Sequence, residues 1–276
     1  MTDFPAGLTF ATLYSGSSGN GVYVEYEGQA ILIDAGKNAK HAEKALAEIG
    51  GDPKRIKAAF ITHEHSDHVS ALDVLSRRYG FAVHAPCGCA CAGLPACTLY
   101  HKEGILVEVG PFVVESFYVP HDSGCCVGYL VTVAGTKLGV ATDMGFLAKG
   151  VVEKLYGCNA ALVECNYDEE MLQNGPYPPH LKARVAGKGG HLSNGEGALL
   201  CAVLAYTGAT RLLLGHLSLE NNLPKKALDA VFAEFEKRGV DAHVLVAKRD
   251  EPTVLIGTGT ERFFTAAASK QGERVC

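Results

Sequence analysis

The sequence predicts an α/β protein in which two β-sheets pack face to face and helices cover their outer surfaces. Three observations lead to this fold class. Strand patterns and helix patterns follow one another in groups along the 276 residues, an order typical of layered sheets and helices. Hydrophobic residues make up 47% of the chain and charged residues 20%, which supplies a core and argues against disorder. The 32 glycines indicate many short elements joined by tight turns.

Short apolar runs bounded by turn residues identify the strands. We place them at residues 22–26, 30–34, 58–62, 81–84, 105–109, 112–119, 127–133, 137–141, 160–164, 211–215, 242–247 and 253–256. Glu27-Gly28 is a short turn between the first two runs and predicts a hairpin. The run 58–62 is expected to be a buried strand that leads directly into a histidine cluster.

Apolar residues at three- to four-residue spacing identify the helices, and glycines mark several of their ends. We place helices at residues 40–49, 67–79 and 196–206, and a fourth that Asn222-Leu223-Pro224 opens and that ends near Gly239. Ser66 is expected to cap the second of these helices and Gly80 to close it. Because no linker, internal repeat or low-complexity segment interrupts this pattern, we expect a single domain over residues 1–276.

The net charge and the lack of a recognisable targeting pattern limit the ligands and the cellular location that we expect for this protein. A formal charge of −5 argues against broad binding of nucleic acid over the surface, although it leaves room for a small basic groove. Residues 1–10 lack the pattern of a secretory signal, and nowhere do about 18 apolar residues follow one another. The ten cysteines are therefore expected to be reduced thiols. We expect a cytoplasmic protein without a membrane-spanning segment.

The strongest chemical signal is the segment 62–68, which follows a predicted strand and begins a predicted helix. It contains His63, His65, Asp67 and His68. Imidazole nitrogen and carboxylate oxygen are donors that divalent metals prefer. Side chains two apart on extended backbone point the same way, so His63 and His65 can share one position while Asp67 and His68 reach another. The segment predicts a metal site.

His63-x-His65-x-Asp67-His68 resembles the signature of the metallo-β-lactamase superfamily. Three further motifs occur in the superfamily's order, each after a predicted strand: Pro120-His121-Asp122, Thr142-Asp143-Met144-Gly145 and Gly215-His216-Leu217-Ser218. The resemblance implies a four-layer αββα fold with two mixed sheets and two divalent ions, with zinc expected and manganese as the alternative. It also implies the ligand sets, which are His63, His65 and His121 for one ion, Asp67, His68 and His216 for the other, and Asp143 as the bridge.

A longer series of motifs resembles the YycJ/WalJ group of this superfamily. The series includes Ser15-Gly16-Ser17-Ser18-Gly19-Asn20, Glu164-Cys165-Asn166-Tyr167-Asp168, Leu181-Lys182-x-Arg184, Gly190-His191-Leu192-Ser193-Asn194 and Leu214-Gly215-His216-Leu217-Ser218. It departs from the group's pattern at Pro179-His180. The group is regarded as metal-dependent DNA exonucleases, so the resemblance implies attack on a DNA phosphodiester by a hydroxide bound to both metals.

Two residues are candidates for direct roles in catalysis. Asp67 is expected to orient the hydroxide. His191 opens the predicted helix near Asn194, where it and free backbone N–H groups can face an anion. We hypothesise that His191 contacts the scissile phosphate or protonates the leaving oxygen; the alternative is a structural neighbour of the helix start.

Further candidates for contact with the substrate are Ser17, Ser18, Asn20, Lys182, Arg184 and Asn194. The glycine-rich turn at 15–20 can present backbone amides to phosphate, or it is purely structural. Lys182 and Arg184 supply the small basic patch that a nucleic acid requires, or they belong to a solvated loop. Asp34 is expected to orient a ligand histidine.

Two alternatives stay open at this point. Cys87, Cys89, Cys91 and Cys97 invite a second metal site, but their one-residue spacings differ from those of most structural zinc sites, so tight packing is the other interpretation. For the reaction, a thioester hydrolase resembling glyoxalase II shares the first motif. A non-catalytic metal-binding module is the remoter alternative, and it would lack some of the ligands.

Overall fold

Two seven-stranded sheets form the centre of the computed structural model, which describes residues 4–89 and 93–257. The strands in chain order are β1 (Thr9–Tyr14), β2 (Gly21–Tyr26), β3 (Gln29–Ile33), β4 (Ile56–Phe60), β5 (Ala82–Pro86), β6 (Leu99–His101), β7 (Leu106–Val109), β8 (Phe112–Tyr118), β9 (Val127–Val133), β10 (Thr136–Ala141), β11 (Ala160–Glu164), β12 (Arg211–Gly215), β13 (His243–Val246) and β14 (Thr253–Ile256).

Helices connect many of these strands. In chain order they are α1 (Ala39–Glu48), α2 (Ser66–Val69), α3 (Leu72–Tyr79), α4 (Lys149–Leu155), α5 (Glu169–Asn174), α6 (Pro179–Val185), α7 (Asn194–Thr207) and α8 (Pro224–Arg238), with one 3-10 turn at Pro53–Arg55. None of the helices within the described residues has the length and apolarity needed to cross a bilayer.

Both sheets combine antiparallel and parallel pairing. The first sheet has the order β14-β1-β2-β3-β4-β5-β6 and is parallel from β3 to β6. The second has the order β13-β12-β11-β10-β9-β8-β7 and is parallel from β13 to β10. The carboxyl ends of parallel strands meet at one edge of a sheet, where ligands usually bind. The prediction of two mixed sheets is confirmed.

Three apolar clusters separate four layers. Phe60 of β4 and Leu162 of β11 meet in the cluster between the two sheets. On the outer side of the first sheet, Leu46 of α1 and Leu75 of α3 pack with Ala59 of β4. A third cluster joins the second sheet to α4, α7 and α8. Because neighbouring side chains of a strand point to opposite faces, each sheet is buried on both sides. The predicted αββα layering is confirmed.

The predicted helix at 67–79 is divided into α2 and α3, and the prediction that Ser66 caps it is wrong. Ser66 is the first helical residue, and His65 precedes it without a capping hydrogen bond from its side chain. The division arises because the loop after β3 competes for the backbone groups. Ala71 N donates to Ala35 O at 2.9 Å, and Ala35 N donates to His68 O at 2.8 Å. Gly80 closes α3 in the left-handed conformation, as predicted.

The structure also contains elements that the sequence patterns did not predict, namely β1, β6, α4, α5 and α6. The last four have three to seven residues each. Elements this short present too few turns or alternations for a periodic pattern to stand out.

Candidate metal centre

The candidate ligands lie on the segments that follow four strands at one edge of the two sheets, with Asp67 and His68 in the short helix α2. The segment 62–68 follows β4, His121 follows β8, Asp143 follows β10 and His216 follows β12. Asp143 and His216 have φ angles of 59° and 56°, a left-handed conformation that residues other than glycine adopt at an energetic cost. The turns bring side chains that are distant in sequence into one cluster.

Three imidazoles form one end of the cluster. The potential ligand atoms of His63, His65 and His121 lie within 4.8 Å of one another. His63 Nε2 is 2.9 Å from His65 Nδ1, and the ring centroids of His63 and His121 are 5.1 Å apart. His121 Nδ1 lies 3.1 Å from Gly190 O, so it donates to this carbonyl and leaves Nε2 available to a metal.

Asp67, His68 and His216 form the other end, also with ligand atoms within 4.8 Å of one another. Asp67 Oδ2 is 3.5 Å from His68 Nε2 and 4.0 Å from His216 Nε2. Both imidazoles are buried, whereas the Asp67 side chain is 24% exposed. This carboxylate is therefore within reach of a molecule that enters from solvent.

Asp143 lies between the two ends. Its Oδ2 is 3.4 Å from His68 Nε2, and its Oδ1 is 3.5 Å from His216 Nε2 and 3.9 Å from His121 Nε2. Within the described residues, Asp143 Oδ2 and His216 Nε2 are buried without a hydrogen-bond partner. Buried polar atoms are normally satisfied, and a divalent ion bound by this nitrogen and oxygen set would satisfy both. The residues present fit a metal centre.

Asp34 lies behind His68, where the sequence predicted an orienting carboxylate. Its Oδ2 is 2.8 Å from His68 Nδ1. Thr62 donates to the same carboxylate through its backbone N and its Oγ1, each at 2.8 Å. A carboxylate that binds Nδ1 fixes the imidazole tautomer, so His68 Nε2 faces the cluster. The hydroxyl of Thr62 was not predicted to contribute.

Glu164 is the main site residue that the sequence reasoning missed. It ends β11, is fully buried, and its Oε1 lies 2.8 Å from His191 Nδ1 and 3.1 Å from His216 Nδ1. Its Oε2 accepts from the backbone N of Met144 at 2.6 Å and of Leu192 at 3.4 Å. The available signal was a carboxylate that ends an apolar strand, a position where burial requires a partner.

Charges inside the cluster shift the pKa values of the buried groups. Burial by itself would lower the pKa of His68, but the carboxylates of Asp34 and Asp143 outweigh it and raise this pKa to about 9. Burial would also lower the pKa of His216, yet Asp143 raises it well above its usual value. Conversely, burial would raise the pKa of Asp143, but His216 and His68 hold it well below the usual range. The carboxylates therefore favour the protonated form of both imidazoles.

We expect metal affinity to rise with pH up to about 9, because the pKa values of His68 and His216 are raised and an ion must compete with protons for these imidazoles. Each displaced proton changes the association constant by up to about tenfold per pH unit, so affinity is lost as the pH falls. Titration calorimetry of Zn²⁺ binding in two buffers of different ionisation enthalpy counts the protons. Release of fewer than about one proton at pH 7 would contradict this expectation.

His191 lies between the two ends of the cluster and is 22% exposed. Its Nδ1 contacts Glu164, and its ring centroid is 5.3 Å from that of His121 and 5.1 Å from that of His216. At the start of α7, the backbone N–H groups of Ser193 and Glu196 are used in a capping box, and that of Asn194 donates to Tyr167 O at 2.7 Å.

The predicted contacts on the turn at 15–20 divide into two kinds. Ser17 and Ser18 are exposed at its tip. Asn20 is buried, and its Nδ2 lies 3.0 Å from His68 Nε2 and 3.3 Å from Asp67 Oδ2. The structure thus places Asn20 against two candidate ligands instead of on the outer surface of the turn.

The other predicted substrate contacts are largely occupied within the protein. Asn194 is 2% exposed and exchanges two hydrogen bonds of 2.9 Å with Asn222, so its side-chain amide is occupied within the protein. Arg184 Nε donates to Asp122 Oδ2 at 2.8 Å, and Lys182 Nζ donates to Gln173 O at 2.7 Å. Because Asp122 neutralises Arg184, this patch is less basic than the sequence suggested.

The cysteine-rich segment shows no metal cluster in its described part. Cys87 and Cys97 are exposed and Cys89 is buried, while Cys91 lies outside the described residues. Among residues 4–89 and 93–257, none of the groups of three or more potential ligands includes a cysteine. Burial of Cys89 agrees with the packing interpretation.

Comparisons with known proteins agree with this fold. Residues 14–86 match the family described as "Metallo-beta-lactamase superfamily". The chain is 32% identical over 240 residues to "Exodeoxyribonuclease YycJ" of Bacillus anthracis, an alignment that covers 84% of this chain and 91% of the relative. It is 34% identical over 230 residues to "Exodeoxyribonuclease WalJ" of Streptococcus pneumoniae, with 80% and 86% covered.

Among solved structures, the metallo-β-lactamase-fold protein YhfI of Bacillus subtilis has a TM-score of 0.67 at 14% identity, covering 90% of this chain and 99% of that one. Zn²⁺-bound PqqB of Methylobacterium extorquens has a TM-score of 0.64 at 17% identity, covering 89% and 99%. At these identities the likeness shows the fold alone. The identity to the two exodeoxyribonucleases over most of the chain shows the family. The cluster of His and Asp side chains in this chain suits the divalent metals that the family implies. The chain belongs to the YycJ/WalJ group of the metallo-β-lactamase superfamily.

Proposed function

We propose that this protein is a metal-dependent exonuclease that hydrolyses the phosphodiester bonds of DNA. The observation that carries the proposal is the position of Asp143, whose two oxygens face both ends of a cluster of imidazoles and carboxylates. A centre for two metals suits phosphodiester hydrolysis, because it stabilises both the attacking and the leaving oxygen. The DNA substrate is inferred from relatives named exodeoxyribonucleases.

The partly exposed and the buried residues of the centre have separate tasks in this proposal. Two divalent ions, when bound, would acidify a water and neutralise charge on the phosphoryl group. The accessible carboxylate of Asp67 accepts a hydrogen bond from the attacking water and orients it. His191, held through Nδ1 by Glu164, contacts the scissile phosphate or gives a proton to the leaving oxygen. The buried His68 and His216 hold the geometry.

The metal and the cellular location belong to the same proposal. Five imidazoles and two carboxylates suit zinc, and they accept manganese as well. Zinc is our first candidate because imidazole outnumbers carboxylate in the set. Seven cysteines of the described residues are free thiols, namely Cys87, Cys97, Cys125, Cys126, Cys158, Cys165 and Cys201, which supports a reducing compartment such as the cytoplasm.

An assay with several substrates tests the proposal. Metal-free protein is supplied with Zn²⁺, Mn²⁺ or Mg²⁺ and incubated with end-labelled single- and double-stranded DNA, with RNA of the same sequence and with a glutathione thioester. We expect DNA to be shortened stepwise from an end while the thioester stays intact. Rapid thioester hydrolysis with intact DNA would instead support the glyoxalase II-like alternative, and a metal-loaded protein inactive on all substrates would support a binding module.

Replacing His191 with alanine is expected to lower kcat/KM on DNA by about 10²-fold, since a positioned proton donor typically contributes on that scale. Metal content should stay the same, because no predicted ligand is removed. His180→Ala, on the exposed side of α6, removes an imidazole outside the centre and serves as the matched control. Activity of His191→Ala within a factor of about two of wild type would show that this role is wrong.

A further inference from the structure

The turn formed by residues 15–20, here called the glycine turn, lies directly against the metal centre. Its base is tied to two candidate ligands: Ser15 Oγ accepts from His216 N at 2.8 Å, and Asn20 N donates to Asp67 O at 2.7 Å. Gly19 N closes the turn on Gly16 O at 2.9 Å. The exposed tip of the glycine turn therefore lies beside the centre.

Each glycine of this turn makes room for a cationic side chain. A Cβ on Gly16 would approach Arg249 Nη1 to 3.3 Å, and a Cβ on Gly19 would clash with the side chain of Lys37. Both glycines also have φ angles that other residues rarely adopt, +141° and +157°. Two positive groups are thus packed against the turn.

Only one of these two charges is neutralised. Lys37 forms an ion pair with Asp250 and lies 5.4 Å from the ring centroid of Tyr14. Arg249 Nη2 donates to Leu217 O at 3.0 Å, while within residues 4–89 and 93–257 no carboxylate comes within ion-pair distance of its guanidinium. Arg249 thus keeps its charge and most of its donors, and the carbonyl that anchors it directly follows the candidate ligand His216.

The position of Arg249 follows from the topology. The loop that carries it leaves the carboxyl end of β13, and β13 pairs in parallel with β12, whose carboxyl end leads to His216. Parallel neighbours end at the same edge. By contrast, the predicted basic residue Arg184 is paired with Asp122.

We propose that Arg249, together with the hydroxyls of Ser17 and Ser18, forms a subsite for a backbone phosphate of DNA next to the phosphate that is cleaved. The proposal rests on the proposed exonuclease function. A guanidinium binds phosphate through two parallel hydrogen bonds, and serine hydroxyls are common phosphate donors. A phosphate contact of this kind carries no base preference, so it holds strands of any sequence.

The variants Arg249→Ala and Arg249→Lys test the subsite on two substrates. One substrate is a single-stranded oligonucleotide, and the other is bis(p-nitrophenyl) phosphate, which has only the phosphate that is cleaved. For Arg249→Ala we expect KM on the oligonucleotide to rise about tenfold, with a much smaller loss on the small ester. The salt dependence of kcat/KM on the oligonucleotide should weaken by about one unit of slope. Arg249→Lys keeps the positive charge, so its salt slope should equal that of the wild-type protein. Its KM should lie between those of the wild-type protein and Arg249→Ala, because lysine cannot form the two parallel hydrogen bonds of a guanidinium.

The control is Arg238→Ala, which removes one positive charge at the carboxyl end of α8, outside the centre. Its KM on the oligonucleotide and its salt dependence should equal those of the wild-type protein. If Arg249→Ala lowers kcat/KM equally on both substrates, Arg249 only supports the loop of His216. If its KM on the oligonucleotide is unchanged, no phosphate binds at Arg249. Either result overturns the subsite. The proposed function fails separately, in the wild-type protein, if the oligonucleotide is not degraded at all.

Discussion

Replacing Asp143 with asparagine is expected to lower kcat/KM on DNA by more than about 10³-fold, equivalent to about 4 kcal/mol of transition-state stabilisation. The reason is its position between the two groups of ligands, since its Oδ2 faces His68 and its Oδ1 faces His121, and no other carboxylate in the described part of the cluster faces both. An amide offers one oxygen and a nitrogen that cannot bind a cation. Bound metal should therefore fall below two equivalents.

The variant should nevertheless fold. Asp143 raises the pKa of both His68 and His216, so without its charge these imidazoles lose protons more easily and no uncompensated charge stays buried. Kinetics, elemental analysis of bound metal and a thermal melt measure the three effects. Asp229→Asn, an exposed change on α8, controls for the substitution itself. Normal turnover in a folded Asp143→Asn protein would refute the assignment of the centre.

The second large effect is expected for Glu164→Gln, with metal affinity and kcat/KM each falling by about 10- to 100-fold. The carboxylate of Glu164 accepts from two imidazoles and two backbone N–H groups. Glutamine has one acceptor oxygen, and its NH₂ group would face donors, so His216 and His191 would lose their fixed orientation. Leaving buried donors unsatisfied costs about 1–3 kcal/mol each, and the melting temperature should fall as well.

A double-mutant cycle separates the two histidines that Glu164 supports. If Glu164 acts on catalysis through both, Glu164→Gln should still weaken metal binding in a His191→Ala background, through His216, while its effect on kcat should shrink. Glu236→Gln, exposed on α8, provides the matched control. Unaltered metal affinity in Glu164→Gln would show that the carboxylate does not orient His216.

Much of the fold and of the ligand cluster could be predicted from local patterns. The strands β9, β11, β12 and β14 begin and end at the residues that their apolar runs predicted. The segment 62–68 carries four candidate ligands within a few residues, so its chemistry is visible without any tertiary information. The more distant His121, Asp143 and His216 were identified because each stands after a strand in the order typical of the superfamily.

Other features depended on which distant groups meet. In the sequence, Glu164 is one of several residues that end a strand. Only the pairing of β11 with β12 brings its carboxylate to His216. Arg184 and Arg249 are equally basic in the sequence, yet Asp122 neutralises the first and no described carboxylate neutralises the second. The sequence leaves the side-chain amide of Asn194 available to a substrate, whereas in the folded protein both its Nδ2 and its Oδ1 are hydrogen-bonded to Asn222.

The sequence by itself determined most of the longer elements, the layered sheets and the kinds of donor atom in the centre, because apolar periodicity and short motifs act over a few neighbouring residues. The tertiary structure alone decided which carboxylates orient the imidazoles, which cations stay unpaired and where the helix after the histidine motif is interrupted. These properties are set by hydrogen bonds and charges between segments far apart in the chain, and their energies depend on distance and burial in the folded protein.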